Sequence, residues 1–369
     1  MKSQDLILLE RLFLPYVIGW TFSFFLFTVF RGVGTVPSGV VEVNLADGFL
    51  LSLFVGPICG VLAAINQRYF EWLVNARYSS LNRLILLKLL SSLFLIVFIT
   101  LSSYIILLII KPGIISINTF AIQEESIVAY FYIFITDTLF SLARRASILL
   151  GEDRIWKILS GKYYEPRQEE KIFLFVDLKD STTIAERVGH LEYSKLLQDA
   201  FSDLALIEKF GGEVYQYIGD EIVFTWDGLN ASKALNAVNS FLYFQDEMIN
   251  RAAYYQKHYN MIPIFKAGIH GGPVTTVEVG KNKKEIAYHG DTINTASRIQ
   301  NTCNVFNETL IVSNAIAELI KTNSQFHLQR ISFVMLKGKS KKTWLYAIGN
   351  GKDVQKNSRE DTIKLDLAV

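Results

Sequence analysis

The chain has 369 residues, half of them hydrophobic, and a formal net charge of +2. That length fits two or three domains, and the charge is too small to argue for nucleic-acid binding. The positive mean hydropathy argues against a wholly soluble protein. Cys59 and Cys303 are the only cysteines. They lie far apart, one in an apolar stretch, which speaks against a disulfide framework or zinc site and is neutral on compartment.

Four apolar stretches fill the N-terminal third, roughly Leu12 to Phe30, Phe49 to Ile65, Leu89 to Ile110 and Ile127 to Ala143. A membrane-crossing helix needs ~20 apolar residues, within a range of ~17–25. Most of each stretch lacks the polar outer face of a soluble bundle helix. Residues 1–143 are therefore expected to form a transmembrane domain with four helices, the alternative being a buried helical bundle. Glu10 and Arg11 interrupt the first stretch, which ends without a small-residue cleavage site, so no cleavable signal peptide is expected.

Lys2 and Arg11 precede the first stretch; Arg68, Arg77, Arg83 and Lys88 separate the second from the third; Arg144, Arg145, Arg154 and Lys157 follow the fourth. The opposite loops carry Arg31 and Lys111 beside Glu42, Asp47, Glu124 and Glu125. The positive-inside bias then predicts a multi-pass protein of the inner (plasma) membrane with both termini cytoplasmic. Asp137 falls inside the fourth stretch and is expected to make a neutral, hydrogen-bonded helix contact, with a sensing or dimer role as the alternative. Gly56-Pro57-Ile58-Cys59-Gly60 has the small-xxx-small spacing that permits close helix approach, or a simple kink at Pro57.

Residues 144–170 turn charged. Ala143 to Leu159 reads as a helix leaving the membrane, stopped by Gly161 and Pro166, either a passive spacer or a helix that dimerises and passes membrane motion onward. Residues 171–349 alternate strands and helices. Lys171 to Asp177 is an apolar strand, and Ser181 to Phe210 is mostly helical with a break near Gly189. Glu213 to Ile218 and Ile222 to Trp226 form a hairpin through Gly219-Asp220-Glu221. Ala231 to His258 is a long helix. Strands Phe265 to His270, Val274 to Val279 and Glu285 to His289 follow, the first two parted by Gly271-Gly272-Pro273. Asp291 to Thr302 is a helix. The order β-α-β-β-α-β predicts an α+β, ferredoxin-like core with an added arm. Residues 350–369 read as a polar, disordered tail.

The chemistry-bearing residues sit at strand ends and on one helix. Asp177 ends a strand and Asp220 tips the hairpin; from adjacent strands they can hold two Mg²⁺ or Mn²⁺ ions with help from phosphate oxygens. Two metals ~3.5–4 Å apart can activate an attacking oxygen and neutralise a leaving one. The chain then turns from Leu178 into a helix, and the free N–H groups around Ser181 and Thr182 form a phosphate cradle. Asn294 and Arg298 stand four apart on one helix face, where an Arg can stabilise developing phosphate charge and an Asn can orient a ribose. Lys337, in Lys337-Gly338-Lys339, is either a triphosphate ligand or a basic turn. Gly211-Gly212-Glu213 reads as a helix-ending turn.

The segments Phe175-Val176-Asp177-Leu178-Lys179-Asp180-Ser181-Thr182, Ile218-Gly219-Asp220, Gly290-Asp291-Thr292-Ile293-Asn294-Thr295-Ala296-Ser297-Arg298 and Leu336-Lys337-Gly338-Lys339 resemble class III nucleotidyl cyclases (adenylate and guanylate cyclases) in order and content. The resemblance covers about residues 171–349. It implies that the 3′-oxygen of a nucleoside triphosphate attacks its own α-phosphate, giving a 3′,5′-cyclic nucleotide and pyrophosphate. It implies metal binding by Asp177, Asp220 and the Leu178 carbonyl, with Asn294 on the ribose, Arg298 on the transition state and Lys337 on the distal phosphates. It also implies a homodimer with two shared sites.

The base-reading positions depart from the family pattern. Gln216 stands where adenine-specific members carry Lys, and Ala287 where they carry Asp, Thr or Ser. Gln216 can donate and accept, so it suits adenine or guanine. Ala287 offers no side-chain bond, leaving its backbone or neighbouring Tyr288 or His289 to read the base. ATP is the favoured substrate. The competing expectation is a non-catalytic membrane receptor whose cyclase-like domain only binds nucleotide or a partner.

Overall fold

The computed structural model describes residues 12–32, 45–75, 81–110, 116–122, 124–151, 157–158, 160–323, 326–334 and 342–350. Contacts divide the chain into two compact units, Met1–Glu152 and Asp153–Val369.

The first unit is helical: α1 (Leu14–Gly32), α2 (Leu45–Asn75), α3 (Leu81–Ile110), a short α4 (Ile117–Ile122) and α5 (Glu124–Leu150). Asn82–Ile105 in α3 and Ser126–Leu149 in α5 are long and apolar enough to cross a membrane, whereas Leu14–Phe30 is a shorter apolar helix. The expected second crossing lies within α2, which contains Pro57 and continues through Arg68 and Glu71. Two of the four expected crossings thus meet the measure of length and composition. Lys2, Arg11, Glu42, Arg77, Lys111 and Arg154, used to argue orientation, lie outside the described residues.

Gly56 and Gly60 do bring two helices together. A Cβ on Gly56 would stand 2.6 Å from Thr21 Cα, and one on Gly60 2.5 Å from Val17 Cα, so α2 packs backbone-close against α1. Asp137 makes the hydrogen-bonded helix contact expected from sequence, and a lysine shares it. Lys88 Nζ lies 2.8 Å from its Oδ2 and Ser92 Oγ donates to the same oxygen at 2.6 Å. Lys88 reads as a loop residue in the sequence, but α3 begins at Leu81 and carries it inside the helix.

The second unit holds β1 (Arg167–Leu178), α6 (Ser181–Val188), α7 (His190–Leu204), β2 (Glu213–Ile218), β3 (Glu221–Asp227), α8 (Ala231–Asn250), α9 (Ala252–Tyr259), β4 (Phe265–Val279), β5 (Glu285–His289), α10 (Asp291–Phe306), β6 (Leu310–Ser313), α11 (Asn314–Ile320), β7 (Phe326–Val334) and β8 (Thr343–Asn350). The sheet order is β2-β3-β1-β4-β6-β8-β7, with β5 paired to β4 alone. The β2–β3, β3–β1 and β1–β4 pairs are antiparallel, which with the intervening helices is the expected ferredoxin-like βαββαβ core.

β1 is central and covered on both faces, which explains its unbroken apolar run. Ile172, Leu174 and Val176 face the main core with α7, α8 and α11. Phe173 and Phe175 face a smaller cluster with Val223, Tyr215, Tyr288 and Ala296 of α10.

Three expected elements differ. The helix from Ala231 is two helices parted at Arg251, whose guanidinium pairs with Asp203. The helix expected over Ala143 to Leu159 ends as α5 at Leu150, ahead of Gly151 at φ 85°. The two strands around Gly271-Gly272-Pro273 are one 15-residue strand. These glycines do not turn the chain; they make room. A Cβ on Gly272 would stand 3.0 Å from Thr292 Oγ1, which donates to the Pro273 carbonyl at 2.7 Å and seats the start of α10 on β4. Gly211, at φ 76°, ends a 3₁₀ turn, as its helix-ending reading predicts.

Candidate active site

Asp177 stands at the exit of β1, opposite Glu221 of β3 and Lys266 of β4. Three residues later Asp180 takes a left-handed φ of 57° and caps the start of α6. On the other side, the two-residue turn Gly219-Asp220 between paired Ile218 and Glu221 brings Asp220 to the same edge; Gly219 supplies the φ of 64° that this tight hairpin uses. The Asp220 carboxylate stands near enough to raise the Asp177 carboxyl.

Asp177 Oδ2 receives Lys266 Nζ at 3.1 Å and Gln300 Nε2 at 3.0 Å. Lys266 Nζ also donates to Asn304 Oδ1 at 3.2 Å. Gln300 is buried on α10 and reaches Asp177 because α10 presses on β4: a Cβ on Gly268 would stand 2.3 Å from the Gln300 backbone nitrogen. Beside Lys266 opens a cleft of ≈ 370 Å³, walled also by Lys179, Asp180 and Asn304.

Three carboxylates, Asp177, Asp220 and Glu221, thus share one edge, and Lys266 is the lysine that acts on Asp177 and Glu221. Burial raises the Asp177 carboxyl above its usual range, Lys266 pulls it back, and Asp220 pushes it up again. Burial, then Asp177 and Asp220, push Glu221 up to about 7, against the pull of Lys266. Tyr193 of α7 stands by Asp220 and Ser181; burial and then Asp220 raise its phenol. The edge thus gathers carboxylate oxygens that repel one another, the chemistry a hard divalent cation fits. Among the described residues no three His, Cys, Asp or Glu side chains converge as a metal-holding group.

Leu178 ends β1 opposite Phe265, and Ser181 and Thr182 open α6. Asn294 and Arg298 behave differently. Asn294 is exposed and Nδ2 donates only weakly to the Gly290 carbonyl, at 3.4 Å. Arg298 Nη1 is buried without a hydrogen-bond partner. Gln300 lies about 200° around α10 from Arg298 and about 240° from Asn294, at ~100° per residue. Since Gln300 points at Asp177 of its own copy, Asn294 and Arg298 are directed away from it. Gln216 is exposed on β2, and Ala287 is half-buried on β5, paired with Val277. Lys337 lies outside the described residues.

Sequence reasoning missed Lys266, Glu221 and Gln300. A lone lysine in the apolar run Phe265–Ile269 was a usable signal, as was an acid directly after Asp220. Gln300 gives none, because on one helix among many it looks like any polar residue.

A family profile for the adenylate and guanylate cyclase catalytic domain matches residues 163–349. The chain is similar to adenylate cyclase 2 of Rhizobium meliloti (strain 1021), 35% identical over 170 residues, covering 46% of this chain and 47% of that one. It is similar at 26% over 180 residues to an adenylate cyclase of Anabaena cylindrica, covering 47% of this chain and 36% of that one. The matches thus span about half the length, or less, of those relatives. A bacterial light-regulated adenylyl cyclase structure shares the fold, with a TM-score of 0.52 at 18% identity over 62% of this chain and 67% of that one. With its profile match extending over just half its length and the acidic edge in place, the chain belongs to the adenylate and guanylate cyclase catalytic domain family.

Proposed function

We propose that this chain is a membrane-anchored nucleotidyl cyclase that closes ATP to 3′,5′-cyclic AMP and pyrophosphate for intracellular signalling, working as a homodimer with two equivalent shared sites. The observation that carries this reading is the divergence on α10: Gln300 braces the acidic edge of its own copy, while Asn294 and an unpartnered Arg298 turn away from it. A second copy would bring Asn294 and Arg298 to an acidic edge that lacks them. The named adenylate cyclases among the relatives support ATP over GTP. The apolar α3 and α5 support a bilayer anchor, with the second unit and both termini on the cytoplasmic side.

Asp177, Asp220 and the Leu178 carbonyl would hold two divalent cations, Mg²⁺ or Mn²⁺, which supply activation of the 3′-oxygen and charge neutralisation on the leaving pyrophosphate. Lys266 and Gln300 keep the Asp177 carboxylate in one orientation. N–H groups at Ser181 and Thr182 bind phosphate oxygens at the start of α6. Arg298 of the second copy meets the charge that develops as the 3′-oxygen bonds to the α-phosphorus and the bond to the β-bridging oxygen breaks. Asn294 fixes the ribose, and Lys337 binds the distal phosphates.

The test is the purified full chain in lipid nanodiscs with Mg²⁺ or Mn²⁺ and, separately, ATP, GTP, CTP and UTP. Cyclic AMP as the main product is expected; no cyclic product from any of the four leaves only a nucleotide- or partner-binding receptor. Asp177→Ala is expected to lower turnover by ~10³-fold or more, the scale at which loss of a transition-state electrostatic partner is felt. Mixing Asp177→Ala with Arg298→Ala chains is expected to restore one good site per heterodimer, and no rescue would argue against a shared site.

A further inference from the structure

β2 contains a register shift against β3 between Val214 and Gln216, with Val214 opposite Phe224 and Gln216 opposite Val223. Tyr215 is the extra residue, a β-bulge. Residues directly opposite in a ladder share a face. Phe224 belongs to the main core under the helices, and Val214 packs there with it. Val223 belongs to the opposite face, together with Tyr215, Tyr288, Phe173 and Phe175. Tyr217, opposite Ile222, is back on the helix side with its ring on Phe201. In an unbroken strand, residues 214 and 216 would share a face. The bulge therefore moves Gln216 from the helix-covered face to the face that ends at Asp177.

Tyr215 is anchored where it makes this switch. Its ring lies 4.7 Å from that of Tyr288 on β5, Phe173 meets Tyr288 edge-on at 5.5 Å, and Lys171 Nζ stands 4.9 Å over the Tyr288 ring. Lys171 is fully buried and held by Asp227 and, at 3.6 Å, by Glu169. Among the described residues β5 pairs with β4 alone, and this stack ties it to β2. Tyr215 adjoins Gln216, and Tyr288 adjoins Ala287.

We infer that the Tyr215 bulge and its stack on Tyr288, backed by Lys171, are positioning residues for base selection: they hold Gln216 and the β5 edge at one fixed separation, and that separation sets which purine fits. This inference rests on the nucleotide-cyclising reading. A glutamine amide can present either donor or acceptor, so its discrimination depends on how firmly its backbone is placed.

The experiment measures kcat and KM for ATP and GTP on the full chain in nanodiscs, with Tyr288→Phe, Tyr288→Leu and Tyr215→Ala. Tyr288→Phe keeps the ring and is expected to keep the ATP:GTP ratio of kcat/KM. Tyr288→Leu and Tyr215→Ala are expected to move that ratio by about tenfold, chiefly through KM, the scale of one lost pocket contact. Gln216→Ala is then made in both backgrounds: its effect on the ratio is expected to vanish once Tyr288 is Leu, and additive effects would overturn the inference. An unchanged ratio in Tyr288→Leu or Tyr215→Ala chains that melt like the parent would overturn it as well. Where Tyr288→Leu does not fold, the half-buried Tyr215→Ala carries the same cycle. Competition of ATP and GTP against a fluorescent nucleotide gives the binding ratio without turnover. A parent chain that makes no cyclic product thus sinks the cyclase reading, while base selection is still decided by the binding ratio.

Discussion

Lys88 of the helical unit and Lys171 of the cyclase unit are both lysines held inside by carboxylates, but their surroundings differ. Lys88 has Asp137 at 2.8 Å, with Ser92 as the other hydrogen-bond partner of that carboxylate. Lys171 sits in a network in which Lys157, Lys162 and Lys171 meet Glu169, Glu213 and Asp227. Burial alone would raise the Asp227 carboxyl; Lys171 and then Lys157 outweigh it and hold it below the usual range. Asp227 is also half exposed, whereas Asp137 is 1% exposed. Among the described residues, Asp137 keeps only Ser92 when Lys88 is lost, whereas Asp227 keeps Lys157, Lys162 and water when Lys171 is lost.

The same contrast explains where each pair acts. On α5 the buried polar residues follow a helical stripe, and each reaches a different helix: Thr136 to Ser23 of α1, Asp137 to α3, and Ser141 to Gln67 of α2. Apolar packing between such helices does not fix rotation or register well, so discrete polar contacts do it. In the cyclase unit, register is already fixed by the ladder, and the charge network instead ties Lys157, Lys162 and Tyr163 to the sheet. Lys157 bonds Glu213 at 2.9 Å, and the Tyr163 hydroxyl donates to Glu169 at 3.0 Å.

The sharpest way to break the comparison is to strand one charge in each unit. Asp137→Ala is expected to destabilise the helical unit by ~3–5 kcal/mol, the scale for a buried pair deprived of one member, while Lys88→Met with Asp137→Leu is expected to be near neutral. Lys171→Met is expected to cost the cyclase unit only ~1–2 kcal/mol, because Asp227 keeps Lys157 and water. Denaturant titration of the full chain in detergent, with separate probes on each unit, reads both. A Lys171→Met loss equal to that of Asp137→Ala would mean the network shares no load.

Close backbone approach gives a second comparison at smaller scale. Gly60→Ala would push a methyl to 2.5 Å from Val17 Cα, and Gly268→Ala to 2.3 Å from the Gln300 nitrogen. Both are backbone contacts that cannot rotate away, so each is expected to cost ~1–3 kcal/mol. Only Gly268→Ala also displaces Gln300 from Asp177. It is therefore expected to lower kcat by about tenfold in chains that still fold, an effect matched by Gln300→Leu. Equal turnover in the two glycine variants would remove Gln300 from the positioning of Asp177.

How far the sequence reached follows from the same residues. The β1 run, the Gly219-Asp220 tip and the order of the first four strands were legible because each rests on local periodicity or turn chemistry. Gly271-Gly272-Pro273 misled because those residue types usually bend a chain, and only the approach of Thr292 shows them serving a straight strand. Lys88 misled because hydropathy ends a span at a charge, and only Asp137 on another helix makes that lysine an interior residue. The bulge at Tyr215 has no local mark at all: it exists in the offset between two strands. Asp177 and Asp220 announced themselves, whereas Lys266, Gln300 and the divergence of Arg298 from Gln300 needed three strands and a helix assembled.

The smallest expected effect concerns pH, and it separates the units because only the cyclase edge crowds acids. Glu221 binds a proton more tightly folded than unfolded, with its carboxyl pushed up to about 7 by burial and by Asp177 and Asp220. The sign follows from that. Below the ordinary carboxylate range both states are protonated and nothing is lost. As pH rises toward about 7 the unfolded chain ionises freely while the folded one resists, so stability falls across that window and levels off above it. Half-exposure screens the effect, leaving ~1 kcal/mol. Metal-free protein is expected to melt a few degrees lower at pH 8 than at pH 5.5, in the cyclase transition only, on the scale of ~4–8 °C per kcal/mol for a small domain and less for a larger one. Glu221→Gln is expected to flatten that slope. Millimolar Mg²⁺ or Mn²⁺ is expected to flatten it too, since a cation at this edge offsets the same repulsion, and a slope indifferent to both changes would mean that the three carboxylates do not act on one another.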